Sequence, residues 1–233
     1  MSSDVAFKGF PKEAFQFFAD LAKHNEKAWF EAHREVFTEK VLKPAQAFVN
    51  VLGMRLEKIA PEIVAVPRID QSIFRLHRDT RFSADKKPYK THLGIFLWEG
   101  PKKKLENPGF YIHLEPQRLF LGAGMHVFSK EALAVYRDWV VDPQHGPKLV
   151  KIIEKITQNP DFKLGGKHYK KVPRGFDPDH PHAELLKHNG MAFYFETGLP
   201  PEVHTAAFVD YVYQKFEAMA PLHYWLREMN SAV

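Results

Sequence analysis

The segment Arg78-Asp79-Thr80-Arg81-Phe82-Ser83-Ala84-Asp85-Lys86-Lys87-Pro88-Tyr89-Lys90-Thr91 holds five basic side chains, two carboxylates and a phenol within a few turns of chain. Arginine presents a planar fork of donors that matches phosphate or carboxylate in pairs, and lysine supplies a movable point charge. Arg75, Arg78, Arg81, Lys86, Lys87 and Lys90 are therefore candidates to surround a multiply charged anion. Asp79 and Asp85 would orient the arginines or coordinate a hard cation beside the anion, while Ser83, Tyr89 and Thr91 add hydroxyl donors. The residue types suit a shaped loop between strands, where functional groups tend to lie. The same alternation of Arg and Asp also describes an internal salt-bridge network that only pins the loop, and exposed pairs of that kind contribute little to stability.

Charge is concentrated here. Residues 68–104 carry ten Lys/Arg against four Asp/Glu, a balance of +6, whereas the whole chain carries +5, so the remainder is close to neutral. A local excess speaks for an anionic partner more strongly than an evenly spread one. The favoured partner is an anionic small molecule, phosphorylated or nucleotide-like, with any catalysis resting on charge stabilisation by the arginines. The alternative is a nucleic-acid-binding module without chemistry. It would use the same segment with Lys102, Lys103, Lys104, Lys170, Lys171 and Arg174, and Tyr89 or Tyr169 to stack on a base. A third reading is a structural or interaction domain.

Other chemistry is thinly represented. There is no cysteine, which excludes a disulfide scaffold, a thiolate nucleophile and Cys-ligated zinc. Thirteen histidines raise the question of a metal. His180-Pro181-His182 lies near His188, and His113 and His126 fall on neighbouring strands, but no HExxH or comparable ligand spacing occurs. No metal is expected on that basis, and the residues name no cofactor. His77 has the right pKa range for a general base, although strand alternation points it away from its neighbours. No phosphate-binding P-loop, GxGxxG or GxSxG pattern appears, and Gly122-Ala123-Gly124 fits close backbone packing in a strand better than a ligand loop. No catalytic residue is assigned.

The elements that must position these groups follow from periodicity. With 233 residues, 45% hydrophobic, the chain is long enough for a substantial core and is read as a single α+β domain spanning residues 1–233. Residues 1–60 read as three helices, with Pro11 at a first helical position, Phe15, Phe18 and Leu21 on a buried face, and Asn25 as an N-cap. Residues 72–76, 91–98, 109–115 and 118–128 read as strands of a mostly antiparallel sheet, the last two joined by a turn at Pro116-Gln117. An exposed loop is expected at 99–108. Helices resume at 129–141, with Ser129 as N-cap, and at 147–158. A hairpin-like element (163–172), a short helix (183–188), a strand (191–196) and one or two closing helices (200–229) complete the chain. Residues 1–10 lack the pattern of a secretory signal and no apolar run is long enough to span a membrane, so a cytoplasmic protein without membrane contact is expected.

The segment from Arg78 to Thr91 resembles the hallmark of a mainly microbial family, domain of unknown function 2461. Asn25 with Trp29-Phe30 is similar to that family's amino-terminal motif, although His24-Asn25 stands where two adjacent asparagines are usual. Phe110-Tyr111-Ile112-His113-Leu114, the helix that carries Arg137, and Pro173-Arg174-Gly175-Phe176 with His180-Pro181 resemble its later motifs. The resemblance covers nearly the whole chain and implies a single α+β domain, without an activity, substrate or cofactor. Since a cluster of cations needs closing walls to hold a small anion in preference to water, His180, with Trp29 or Arg137, is expected beside the Arg78–Thr91 loop in one composite site.

Overall fold

The computed structural model describes residues 6–233. Residues 1–5, half of the stretch read for a secretory signal, lie outside the described residues. Helices α1 (Lys12–Lys23), α2 (Lys27–Ala32), α3 (Arg34–Val36) and α4 (Lys43–Leu56) come first, and α3 runs into α4 through a widened π turn, Phe37–Leu42. Strands β1 (Ile63–Val64), β2 (Leu93–Glu99), β3 (Gly109–Glu115) and β4 (Arg118–Met125) follow. Then come α5 (Lys130–Val141), α6 (His145–Thr157), β5 (Phe162–Lys167), β6 (His188–Thr197) and α7 (Phe208–Ser231). The strands make one six-stranded antiparallel sheet in the order β1-β2-β3-β4-β6-β5, and the fold is α+β. No described helix is long and apolar enough to cross a membrane.

Several local expectations hold for their stated reasons. Ser129 caps α5, its Oγ accepting from the Ala132 N–H at 3.1 Å, and residues 116–117 turn β3 into β4. Phe15, Phe18 and Leu21 are buried along α1. Other expectations need correction. Pro11 is the extended N-cap of α1 rather than its first residue. Asn25 caps nothing: Glu26 occupies the N-cap of α2, and the Asn25 amide is engaged elsewhere. Residues 72–76 make only isolated bridges along β2, such as Ile73 with Ile95, so they form an irregular ribbon rather than a strand. Residues 163–172 are not a hairpin, because β5 pairs with β6, Phe162 opposite Phe195. The 99–108 loop is partly internal: Lys102 Nζ donates to the Asn230 carbonyl at 2.8 Å, and the Asn107 amide donates to the carbonyls of Lys102 and Lys103. Gly124 packs backbone on backbone, since at its φ of +138° a Cβ would fall 2.3 Å from the Met191 carbonyl oxygen.

The chain forms two compact units, and β2, β3, β4 and β6 contribute residues to both. The first comprises the described residues up to Leu97, with Tyr111–Leu121 and Glu196–Gln214. Its core is aromatic: Phe48 lies 5.1 Å from Phe7, 5.6 Å from Phe10 and 5.3 Å from Phe208, ring centre to ring centre. Burying each such side chain contributes on the order of 1.5–3 kcal/mol.

The second unit comprises Trp98–Phe110, Gly122–Phe195 and Lys215–Val233. Trp225 packs edge-on against Trp139 and Tyr136, and its indole N–H donates to the His145 carbonyl at 3.2 Å. Beneath lies a fully buried carboxylate. Glu99 accepts from His223 Nε2 at 2.7 Å and from Arg227 Nη1 at 2.9 Å, and the side chains of Glu99 and His223 are both 0% exposed. A buried charge persists only when its partners are in place. Glu99→Ala is therefore expected to lower the unfolding free energy by roughly 3–5 kcal/mol, read from urea melts. A loss within the error of the melts would show that the buried pair is not structural.

Candidate functional site

Residues 72–78 and 88–96 run antiparallel as an uneven ribbon, and the basic segment is its tip. The Arg78 N–H donates to the Pro88 carbonyl at 2.8 Å, the Lys90 N–H to the Leu76 carbonyl at 2.8 Å, and His77 bridges Tyr89. The ribbon is fastened from outside by Asn25. Its amide donates to the Tyr89 carbonyl and accepts from the Tyr89 N–H, both at 2.9 Å, which satisfies two backbone groups at once. The Tyr89 ring is buried and stacks on Phe30 with centroids 4.5 Å apart.

At the tip, most of the charge is engaged within the loop. Arg78 binds Asp85 at 2.6 Å and the Lys87 carbonyl at 3.1 Å, and approaches the Ser83 hydroxyl. Arg81 grips Asp79 as a fork, Nε to Oδ1 at 3.0 Å and Nη2 to Oδ2 at 2.7 Å. Lys86 caps the Thr80 carbonyl at 2.9 Å. These bonds hold the Asp79 carboxyl below the usual carboxylate range, chiefly through Arg81. They do the same for Asp85, chiefly through the Lys87 N–H and then Arg78. Phe82 stands 95% exposed at the apex, with the Arg81 guanidinium 5.8 Å from its ring centre.

Beyond Tyr89 the ribbon delivers Lys90, Thr91 and His92 to a half-buried polar face of the sheet. Strand alternation places Tyr111, His113 and Glu115 of β3 together on that face. Tyr111 Oη lies 3.1 Å from His113 Nδ1, and His113 Nε2 lies 2.7 Å from Glu115 Oε1. Glu115 is 3.9 Å from Arg118, which Glu196 holds at 2.9 Å. The His92 imidazole stacks on His113, centroids 3.9 Å apart and planes 23° off parallel. Phe120 meets Tyr111 and His113 edge-on, and Phe74 meets Tyr111 in the same way. Gly94 makes room for this, since a Cβ there would come within 3.2 Å of both Phe74 and the Tyr111 hydroxyl.

The electrostatics follow from partial burial. Desolvation, reinforced by His113 and Lys90, pulls His92 down to about 4, so it is neutral at neutral pH. Desolvation and then Glu115 push the Tyr111 phenol up to about 12, so it keeps its proton. A protonated Tyr111 donating to His113 Nδ1 fits a tautomer in which His113 Nε2–H donates to Glu115, the hydrogen-bond order of a carboxylate–imidazole–hydroxyl relay. Lys90 Nζ sits 5.3 Å above the Phe74 ring. Burial first, and then the charge of Arg75, lowers its pKa. Among the described residues neither Lys90 nor Arg75 forms a salt bridge, although the charge of Asp70 acts on Lys90 and that of Arg75 on Asp79.

The residues expected at the site are thus distributed. Arg78, Asp79, Arg81, Ser83, Asp85 and Lys86 build the loop tip. Tyr89 anchors the ribbon, Thr91 is half-buried, Lys90 lies over Phe74 beside the polar cluster, and Arg75 is exposed. Trp29, in the same unit, stacks on His33 at 3.9 Å. Arg137 and His180 belong to the second unit, where Arg137 lies 5.2 Å over the Tyr169 ring and His180 Nδ1 accepts from the His182 N–H. His92, Tyr111 and Glu115 were not singled out for chemistry. The i, i+2, i+4 run of polar residues on β3 is the signal for Tyr111, His113 and Glu115, whereas nothing in the sequence reveals which of them His92 meets.

An α+β protein that presents this signature ribbon beside a Tyr–His–Glu strand defines a class by its own geometry. The chain belongs to the DUF2461 family of conserved hypothetical proteins, whose model matches residues 13–225. No curated protein matches the chain. The ribbon geometry separates anchoring from surface pairing. Asn25→Ala strands two backbone groups and should cost about 1–3 kcal/mol. Arg81→Ala, whose side chain is 78% exposed, should leave the melting temperature unchanged. Equal losses in calorimetry would contradict this division.

Proposed function

We propose that this protein is a cytoplasmic anion-recognition protein. Its ligand is a small phosphorylated molecule, seated on the half-buried face with Lys90 and Arg75 as charge contacts and Tyr111 as a hydroxyl donor. The observation that carries the reading is Lys90, a partly desolvated cation over the Phe74 ring that forms no salt bridge among the described residues and whose charge Arg75 opposes more than Asp70 favours it. A desolvated cation beside a like charge is relieved by an anion. The loop tip is then left out of the ligand contacts: its arginines and aspartates pair with each other, and Asn25 fastens the ribbon that presents Lys90. Should the bound molecule react, the Tyr111–His113–Glu115 hydrogen-bond chain is placed to move a proton.

One observation favours a second reading. An aromatic ring as exposed as Phe82, flanked by Arg81, Lys86 and Lys87, is suited to stack on an unpaired base while the cations meet phosphates. Gel shifts with single-stranded oligonucleotides distinguish the two readings. On the second, binding is lost in Phe82→Ala and weakens steeply with salt. On the first, Phe82→Ala has no effect on the ligand.

Calorimetric titration with pyrophosphate and a nucleotide and sugar-phosphate panel tests the main reading. Lys90→Ala should weaken binding about tenfold or more, and Arg81→Ala should not. Because the Lys90 pKa lies below the ordinary lysine value, its charge, and with it the affinity, is lost as pH rises toward that value. In Lys90→Arg the guanidinium stays charged and binding persists through the same range. A panel that shows no heat with the wild-type protein, or an affinity indifferent to Lys90, would overturn it.

A further inference from the structure

His92, His113 and Glu115 come from two neighbouring segments of the sheet, and one ligand atom from each lies within 4.8 Å of the others. We propose that these three residues form a mononuclear site for a borderline divalent cation, Zn²⁺ or a first-row neighbour. The donor set is two imidazoles and one carboxylate. That set suits Zn²⁺, Fe²⁺, Co²⁺ or Ni²⁺ rather than Mg²⁺ or Ca²⁺, which take mainly oxygen donors. Three protein ligands leave coordination positions open for water or an exogenous anion.

The surroundings match what a metal ligand needs. Bound through Nε2, His113 turns its Nδ1–H toward the Tyr111 oxygen, already 3.1 Å away, and this orients the imidazole from behind. Arg118, itself tied to Glu196, lies 3.9 Å from the same Glu115 oxygen, Oε1. The Nε2 proton now shared with Glu115 Oε1 across 2.7 Å is replaced by the cation while Nδ1 takes up a proton from solvent, so His113 stays neutral and Tyr111 turns from donor to acceptor. Ligand atoms around one such ion lie about 3 Å apart, given bonds of ~2.0–2.2 Å. His92 must therefore swing out of its stack on His113 to aim a nitrogen at the ion, so binding exchanges a ring stack for coordination.

The inference is independent of the phosphate reading, and the experiment keeps them apart. Tag-free protein is stripped with chelator and titrated in phosphate-free buffer with Zn²⁺ by calorimetry and with Co²⁺ by its visible d–d absorption. One equivalent is expected to bind. His92→Asn, His113→Gln and Glu115→Gln should each weaken binding more than tenfold, and Tyr111→Phe about 10–100-fold. His180→Ala should retain it. Because a site variant can fail to fold, the wild-type imidazole resonances are followed as well. Zn²⁺ must shift those of His92 and His113 in preference to the other histidines. Absence of one-to-one binding at micromolar metal, unmoved His92 and His113 resonances, or affinity that survives all three substitutions would overturn the site.

Discussion

The paired hydrogen bonds between the Asn25 amide and the backbone of Tyr89 are the constraint on which the candidate site depends. Backbone N–H and C=O groups leaving bulk water need partners, and at Tyr89 the regular ladder of β2 has not yet begun. A single primary amide supplies both a donor and an acceptor with the spacing of a neighbouring strand. With Tyr89 held and its ring seated on Phe30, alternation sends the first and third residues after it, Lys90 and His92, toward the opposite side. The loop at the tip and the polar face of the sheet are thus both consequences of one anchored residue.

The basic segment shows how composition and geometry diverge. Its charge excess is real, yet Arg78 and Arg81 find Asp85 and Asp79 within the same loop. Arg81 takes the carboxylate two residues before it, and the turn of the loop brings Asp85, seven residues on, to Arg78. What remains is Lys90, which forms no salt bridge among the described residues, is closed in by Phe74, and is repelled by Arg75 more than Asp70 attracts it. Desolvation makes such a group more informative than the exposed cations, because in high dielectric their fields are quickly screened.

Much of the fold was legible because it rests on local rules. The period-two runs at 109–115 and 118–125, the Pro116-Gln117 turn and the Ser129 cap each follow from residues within a few positions of one another. What was not legible depends on pairing at a distance. Asn25 looked like a cap because an asparagine before a helix usually is one, and only the fold brings Tyr89 within its reach. β5 seemed to close on the residues just after it, while its partner β6 begins more than twenty positions later. The His92 stack on His113 has the same origin, for β3 alone gives three members of the polar cluster and the β2–β3 register decides which histidine joins them.

The two kinds of chemistry assigned to this face constrain each other through charge. Glu115 is the single carboxylate of the ligand set, so a divalent cation held there leaves positive charge uncompensated beside Lys90 and Arg75. Desolvation enlarges the penalty for that excess, so such a face favours an anion of more than one charge over a monocarboxylate. An oxygen of that anion can enter an open metal position while others meet the lysine and the guanidinium, a geometry to which tetrahedral phosphate is better matched than a planar carboxylate. Without the cation, Glu115 opposes the same anion and only the two basic side chains draw it in. Occupancy of the metal position therefore sets how strongly the face discriminates by ligand charge, and the two sites are linked through that shared electrostatic field.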